Sequence, residues 1–174
     1  MTRTLIGAAL AAAGLSALLA GCSKPPLPPP TSGASSPAAM VKAIRAADAT
    51  SQSVVQVKPL RDPQVDGYLD RARSDEQAGD FSRALDKLNA ALKLSPDAPD
   101  ILQKRAEAEI LLDQFPAAEA DARRSFALGP KVGGLCASNW QTVLEIAQAK
   151  NDQPGVAAAR TARNKCNKLA PPRF

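Results

Sequence analysis

The sequence predicts an all-α protein, a short α-solenoid of about three helical hairpins preceded by a disordered linker. Three observations lead there. The stretch from Gly79 to Pro96 recurs 34 residues later, with Phe81 answered by Phe115, Ala84 by Ala118, Leu94 by Leu128 and Pro96 by Pro130. Self-similarity at such a period marks stacked supersecondary units, each burying its apolar face on the next. The helix punctuation repeats in the same phase. Asp80 stands where an N-cap side chain accepts bonds from free backbone N–H groups. Pro116 fits a first turn, where its missing N–H costs nothing, and Pro96 and Pro130 stop the second helices. Finally, alanine supplies much of the 45% hydrophobic content while aromatics make up only 3%. That composition suits close helix–helix packing rather than a large sheet core.

At the N-terminus, Arg3 precedes an uncharged apolar run from Leu5 to Ala20. This is short for a membrane span of ~20 residues but fits the apolar core of a secretory signal, so residues 1–21 are expected to be a signal peptide. The run ends in Leu19-Ala20-Gly21-Cys22, which resembles the bacterial lipobox. The resemblance implies cleavage after Gly21, a diacylglycerol on the Cys22 thiol, and hence the membrane as a partner through a lipid anchor. It implies a location in the bacterial cell envelope. Ser23, rather than an aspartate, points to the outer membrane, facing the periplasm. The alternative is an ordinary signal peptide with a chance cysteine.

Residues 22–63 are read as the lipidated cysteine and a linker. Lys24 to Pro37 is rich in proline and serine, favouring extended polyproline II and then flexible chain. Between Ala38 and Ala49, Met40, Val41, Ile44 and Ala47 share one helical face, predicting a short helix near 38–49. Ser53 to Leu60 is β-branched and reads as extended. Whether these pieces dock on the first hairpin or stay free is open at this stage.

Hairpins are expected at about 64–94, 98–128 and 137–169, within a domain of residues 64–170. The third is in phase only after four extra residues, placed at Lys131-Val132-Gly133-Gly134. Trp140 then falls where Tyr68 and Leu102 stand, Asn151-Asp152 answers Gly79-Asp80, and Pro154 answers Pro116. Arg160 and Arg163 replace Leu88 and Ala91, as suits a terminal unit that needs a polar outer face.

The repeat resembles the tetratricopeptide repeat over roughly residues 64–169. That resemblance implies a concave groove lined by the first helices of successive pairs, which holds a peptide or helix. The matching positions are Leu69, Arg73 and Glu76, then Gln103, Glu107 and Ile110, then Gln141 and Glu145. The sequence departs from the pattern at Arg71 and Arg105, where an apolar residue is usual, and at Asp75 and Glu109, where a tyrosine often packs. Both pairs are spaced for mutual charge pairing at i, i+4. The asparagine–lysine clamp that some members use to grip a C-terminal carboxylate is missing from these positions.

Cys136 and Cys166 lie about 15 residues either side of the third turn, so antiparallel helices of equal rise bring them level. An oxidising compartment would allow a disulfide; the alternative is two buried thiols. The chain has no histidine, which removes the commonest acid–base group and metal ligand. No phosphate loop, zinc spacing or nucleophile motif stands out, so no cofactor, metal or catalysis is expected. Nor is a nucleic-acid partner, since the basic residues are not interleaved with aromatics. The charge is uneven: residues 63–130 carry 9 basic and 13 acidic groups, and residues 131–174 carry 7 and 2. Two functions follow as expectations. One is an adaptor or assembly factor, as in pilotin lipoproteins of this fold, holding another envelope protein or peptide in the groove. The other is a structural lipoprotein whose basic C-terminal end contacts an anionic envelope polymer.

Overall fold

The computed structural model describes residues 35–50 and 60–167. The signal peptide, Cys22, the proline-rich stretch, most of the 53–60 segment and residues 168–170 lie outside the described residues. Among the described residues there are seven helices: α1 (Pro37–Thr50), α2 (Pro63–Gln77), α3 (Phe81–Leu94), α4 (Pro99–Leu111), α5 (Phe115–Leu128), α6 (Gly134–Ala149) and α7 (Gln153–Cys166). The pairs α2–α3, α4–α5 and α6–α7 are antiparallel hairpins stacked in chain order, α3 against α4 and α5 against α6. The fold is the all-α solenoid that the 34-residue period implies.

The local chemistry is the same in each turn. Gly79, Asp113 and Asn151 occupy the same repeat position and all have positive φ, at 79°, 58° and 55°. Glycine reaches this region freely, and Asn and Asp do so at the least cost among other residues. In the first and third turns an aspartate then caps the next helix, whereas Gln114 before α5 makes no side-chain cap. Asp80 accepts from the Arg83 N–H and Asp152 from the Gly155 N–H, each at 3.0 Å. Proline falls in the first turn of α5 and of α7.

The packing follows the small residues. Ala84 and Ala118 are buried at the hairpin crossings, as are Ala91, Ala106 and Ala122. One apolar cluster joins Val65, Ala72, Leu88 and Leu92 to Ile101 and Leu102 of α4. A second joins Ile110, Ala118 and Ala122 to Val143, Leu144 and Ile146 of α6 and to Val156 and Ala159 of α7. Helix α7 packs chiefly on α6 and, among the described residues, buries Val156, Ala159 and Cys166, as befits an end unit.

The helix before the repeats is the departure. Helix α1 lies mainly on the second and third hairpins and meets the first through Arg45 and Glu76. It runs along α6 and touches α4, with Met40, Val41 and Ile44 inside the second cluster and Ala47 against Cys136 and Ala137. Its C-terminal end meets the start of α6, so the two helices are antiparallel. The approach there is close: a Cβ on Gly134 would strike the Asp48 carboxylate and lie 2.9 Å from its backbone oxygen. Glycine at 134 is thus what lets α1 settle, and it brings an acidic group to a helix N-terminus, a favourable place for negative charge. Gly134→Ala is expected to lift the end of α1 and destabilise the domain by about 1–3 kcal/mol, the usual range for overpacking. Hydrogen exchange over residues 44–50 would show it; unchanged protection there would mean the contact is not made.

Candidate helix-binding groove

The first helices α2, α4 and α6 each turn one face to the same side. On α4 that face carries Gln103, Glu107 and Ile110, spaced i, i+4, i+7; on α6 it carries Gly134, Gln141 and Glu145, spaced i, i+7, i+11. Helix α1 lies in this groove. Arg45 forms the polar centre of the contact, reaching Glu76 of α2 at 2.8 Å and Glu107 of α4 at 2.7 Å. One guanidinium thereby ties the first and second hairpins to α1. Its planar fork is suited to binding two carboxylates at once.

The residues expected to line an open groove fare unequally. Ile110 is fully buried, and Gln103, Glu107, Gln141 and Glu145 are buried too. Leu69 is half-buried against the first hairpin's core. Arg73 remains exposed and pairs with Asp70 at 3.4 Å. The face of α4 and α6 that carries these positions is covered by α1, which supplies apolar side chains and a cation to it. The residue that sequence reasoning missed is Arg45. Its signal was available: an arginine beside an apolar face, on a helix with no partner of its own.

The groove floor has its own hydrogen bonds. Gln103 donates to Thr142 Oγ1 at 3.0 Å and to Glu107 at 3.3 Å, linking α4 to α6. Gln141 donates to Glu145 at 2.6 Å and accepts from Arg163 of α7. Burial raises the proton affinity of Glu107, against the pull of Arg45, and burial likewise raises that of Glu145, against the donation from Gln141.

Behind the groove, the two arginines at usually apolar positions take different routes. Arg105 passes between helices to Asp121 of α5 at 2.7 Å and to Asn89 of α3 at 3.0 Å, with Glu109 at 3.8 Å. Arg71 does not pair with Asp75. It lies over the Tyr68 ring at 4.9 Å, while Asp75 faces Arg83 at 3.7 Å.

Glu109 is left poorly matched, with one carboxylate oxygen buried and unbonded. Burial, then the charge of Asp121, push its pKa up to about 7, with Arg105 opposing. The folded state thus holds this proton more tightly than the unfolded chain, where the value is about 4.5. The cost is absent below the unfolded value and complete above about pH 7, so stability from this group falls as pH rises through that window. Glu109→Gln is expected to stabilise the domain at pH 8 by about 1 kcal/mol, the full shift being discounted for partial solvation, and to gain little at pH 4.5. Urea denaturation at the two pH values measures this; an equal gain at both would contradict it.

At the start of α6, the Cys136–Cys166 disulfide joins α6 to the end of α7, with Cα atoms 5.6 Å apart. Phe126 and Trp140 pack edge to face beside it, centroids 5.0 Å apart. Among the described residues no helix is long and apolar enough to cross a membrane.

Comparison with known proteins agrees with this geometry. Residues 65–108, covering α2, α3 and most of α4, match the tetratricopeptide repeat family model. No curated protein matches the chain. Among solved structures, the chain is similar to the globular C-terminal domain of P. aeruginosa LpoP, with a TM-score of 0.55 and 25% identity, over 63% of this chain and 100% of that one. The described domain is a tetratricopeptide-type helical solenoid, the architecture of an interaction scaffold.

Proposed function

We propose that the protein is a lipid-anchored scaffold of the bacterial envelope that binds another envelope protein, or a peptide segment of one, in its concave groove, and that it has no catalytic role. The observation that carries this reading is that the groove seats a helix through a matched apolar and ionic surface: Met40, Val41 and Ile44 enter the buried cluster that holds Ile110, and Arg45 pairs with Glu76 and Glu107. The anchor would be Cys22, on the outer membrane and facing the periplasm, with the lipobox-like Leu19–Cys22 stretch as its basis. Two or more acyl chains hold such a protein for practical purposes permanently, since each buried CH₂ contributes ~0.8 kcal/mol. The role that fits best is an adaptor or assembly factor.

Photocrosslinking in intact cells from Leu69 and Arg73, at the open end of the groove, tests the partner. One protein captured there, and not from Lys165 on α7, supports the reading. The anchor has its own test. Cys22→Ala is expected to abolish acylation and leave unprocessed precursor, and mass spectrometry of the mature N-terminus decides it. A mature wild-type protein with a free, unmodified Cys22 would sink the lipid anchor.

A second reading rests on α7, which has no acidic residue and exposes Arg160 and Lys165. It makes the protein a structural lipoprotein whose basic C-terminal end contacts an anionic envelope polymer. Such an attachment weakens steeply with salt, so salt-sensitive retention of a delipidated protein would favour it.

A further inference from the structure

We propose that α1 is a displaceable occupant of the groove, and that the partner enters as an amphipathic helix with α1's own pattern. That pattern is two apolar side chains at i and i+4 followed by an arginine at i+5, as in Met40, Ile44 and Arg45. The inference rests on the reading of the groove as the partner site and specifies what that partner must look like.

Three features separate α1 from a fixed part of the solenoid. It belongs to no hairpin, and residues 51–62 lie between it and α2, so it can leave with every helix pair intact. Its grip is confined to one helix face: Met40, Val41 and Ile44 buried, Ala47 and Asp48 at the start of α6, and one arginine. The groove floor does not depend on it either, because the bonds of Gln103 to Thr142, Gln141 to Glu145 and Arg163 to Gln141 all run within the solenoid.

Departure of α1 would uncover an apolar strip around Ile110 and strand the carboxylates of Glu76 and Glu107 beside it. A surface of that kind selects a helix with a basic edge, and it rejects an acidic one by leaving like charges opposed. While α1 is in place it competes as a tethered ligand, at an effective concentration on the order of millimolar. A partner's apparent affinity is then reduced by the fraction of molecules whose groove is open.

The test uses the full chain in detergent and a fluorescent peptide of residues 35–50 as the probe. Ile44→Asp with Arg45→Glu should evict α1, and the peptide should bind this double variant at least tenfold more tightly than wild type. Adding Glu107→Gln should weaken that binding at least threefold, and a peptide carrying Arg45→Glu should bind at least tenfold more weakly. If the double variant keeps its helical content and the peptide binds it no better than wild type, the proposal fails. If the variant loses its hairpins, hydrogen exchange on the wild-type protein decides. Amides of α1 exchanging at least tenfold faster than those of α6 support independent release, and equal rates overturn it. A peptide that binds the opened groove while crosslinking captures no protein there would sink the partner reading and leave α1 displaceable. A protein captured at the groove together with no peptide binding would do the reverse.

Discussion

Loss of the Cys136–Cys166 bond is expected to destabilise the protein by roughly 3–4 kcal/mol, the loop-entropy value for a closed loop of this size. The effect should be concentrated rather than spread. Helix α7 packs chiefly on α6 and buries few apolar side chains, so the covalent link replaces contacts that other hairpins draw from leucine. Stacks with nearest-neighbour contacts fray from an end. Hydrogen exchange of the Cys136→Ser, Cys166→Ser double variant should therefore lose protection first in α7. The end of α1 should follow, because Ala47 packs against Cys136 and Ala137. Uniform loss of protection across all three hairpins would show that the solenoid melts as one unit and that the link is not local in its action.

The other large effect is expected at Ile110. It is fully buried and sits in the cluster that joins α1, α5, α6 and α7. Ile110→Ala should cost about 2–5 kcal/mol, the range for truncating a buried aliphatic side chain. Its hydrogen-exchange pattern should differ from that of the disulfide variant, with α1 and the second hairpin loosening together. A loss below about 1 kcal/mol in chemical denaturation would mean that the site collapses around the smaller side chain, and that the groove floor is softer than its packing implies.

The hairpins were legible because each is specified by residues close in sequence. Phe81, Ala84 and Pro96 mark α3, and Phe115, Ala118 and Pro130, 34 residues on, mark α5, so local rules and the repeat point to one answer. The register of α6 was legible through Asn151-Asp152, which repeats the chemistry of the Gly79-Asp80 turn. The seat of α1 was not. Amphipathicity states that Met40, Val41 and Ile44 need a partner without saying which face receives them, and the answer lies on α4 and α6, far along the chain. Arg105 shows the same limit. Its i, i+4 neighbour Glu109 was visible, but its better partners, Asp121 and Asn89, come from two other helices. The burial of Glu107 was likewise invisible, because the arginine that covers it comes from α1, 62 positions away.

The seating of α1 also sets an order in time. Contacts within each hairpin join residues near one another in the chain, and such contacts form early because little loop entropy opposes them. Asp48 and Gly134 meet across 86 positions of sequence. On a ribosome, or emerging from a translocation channel, α1 appears before the helices that seat it. For an interval in the life of every molecule, Met40, Val41 and Ile44 therefore lack the surface that later buries them.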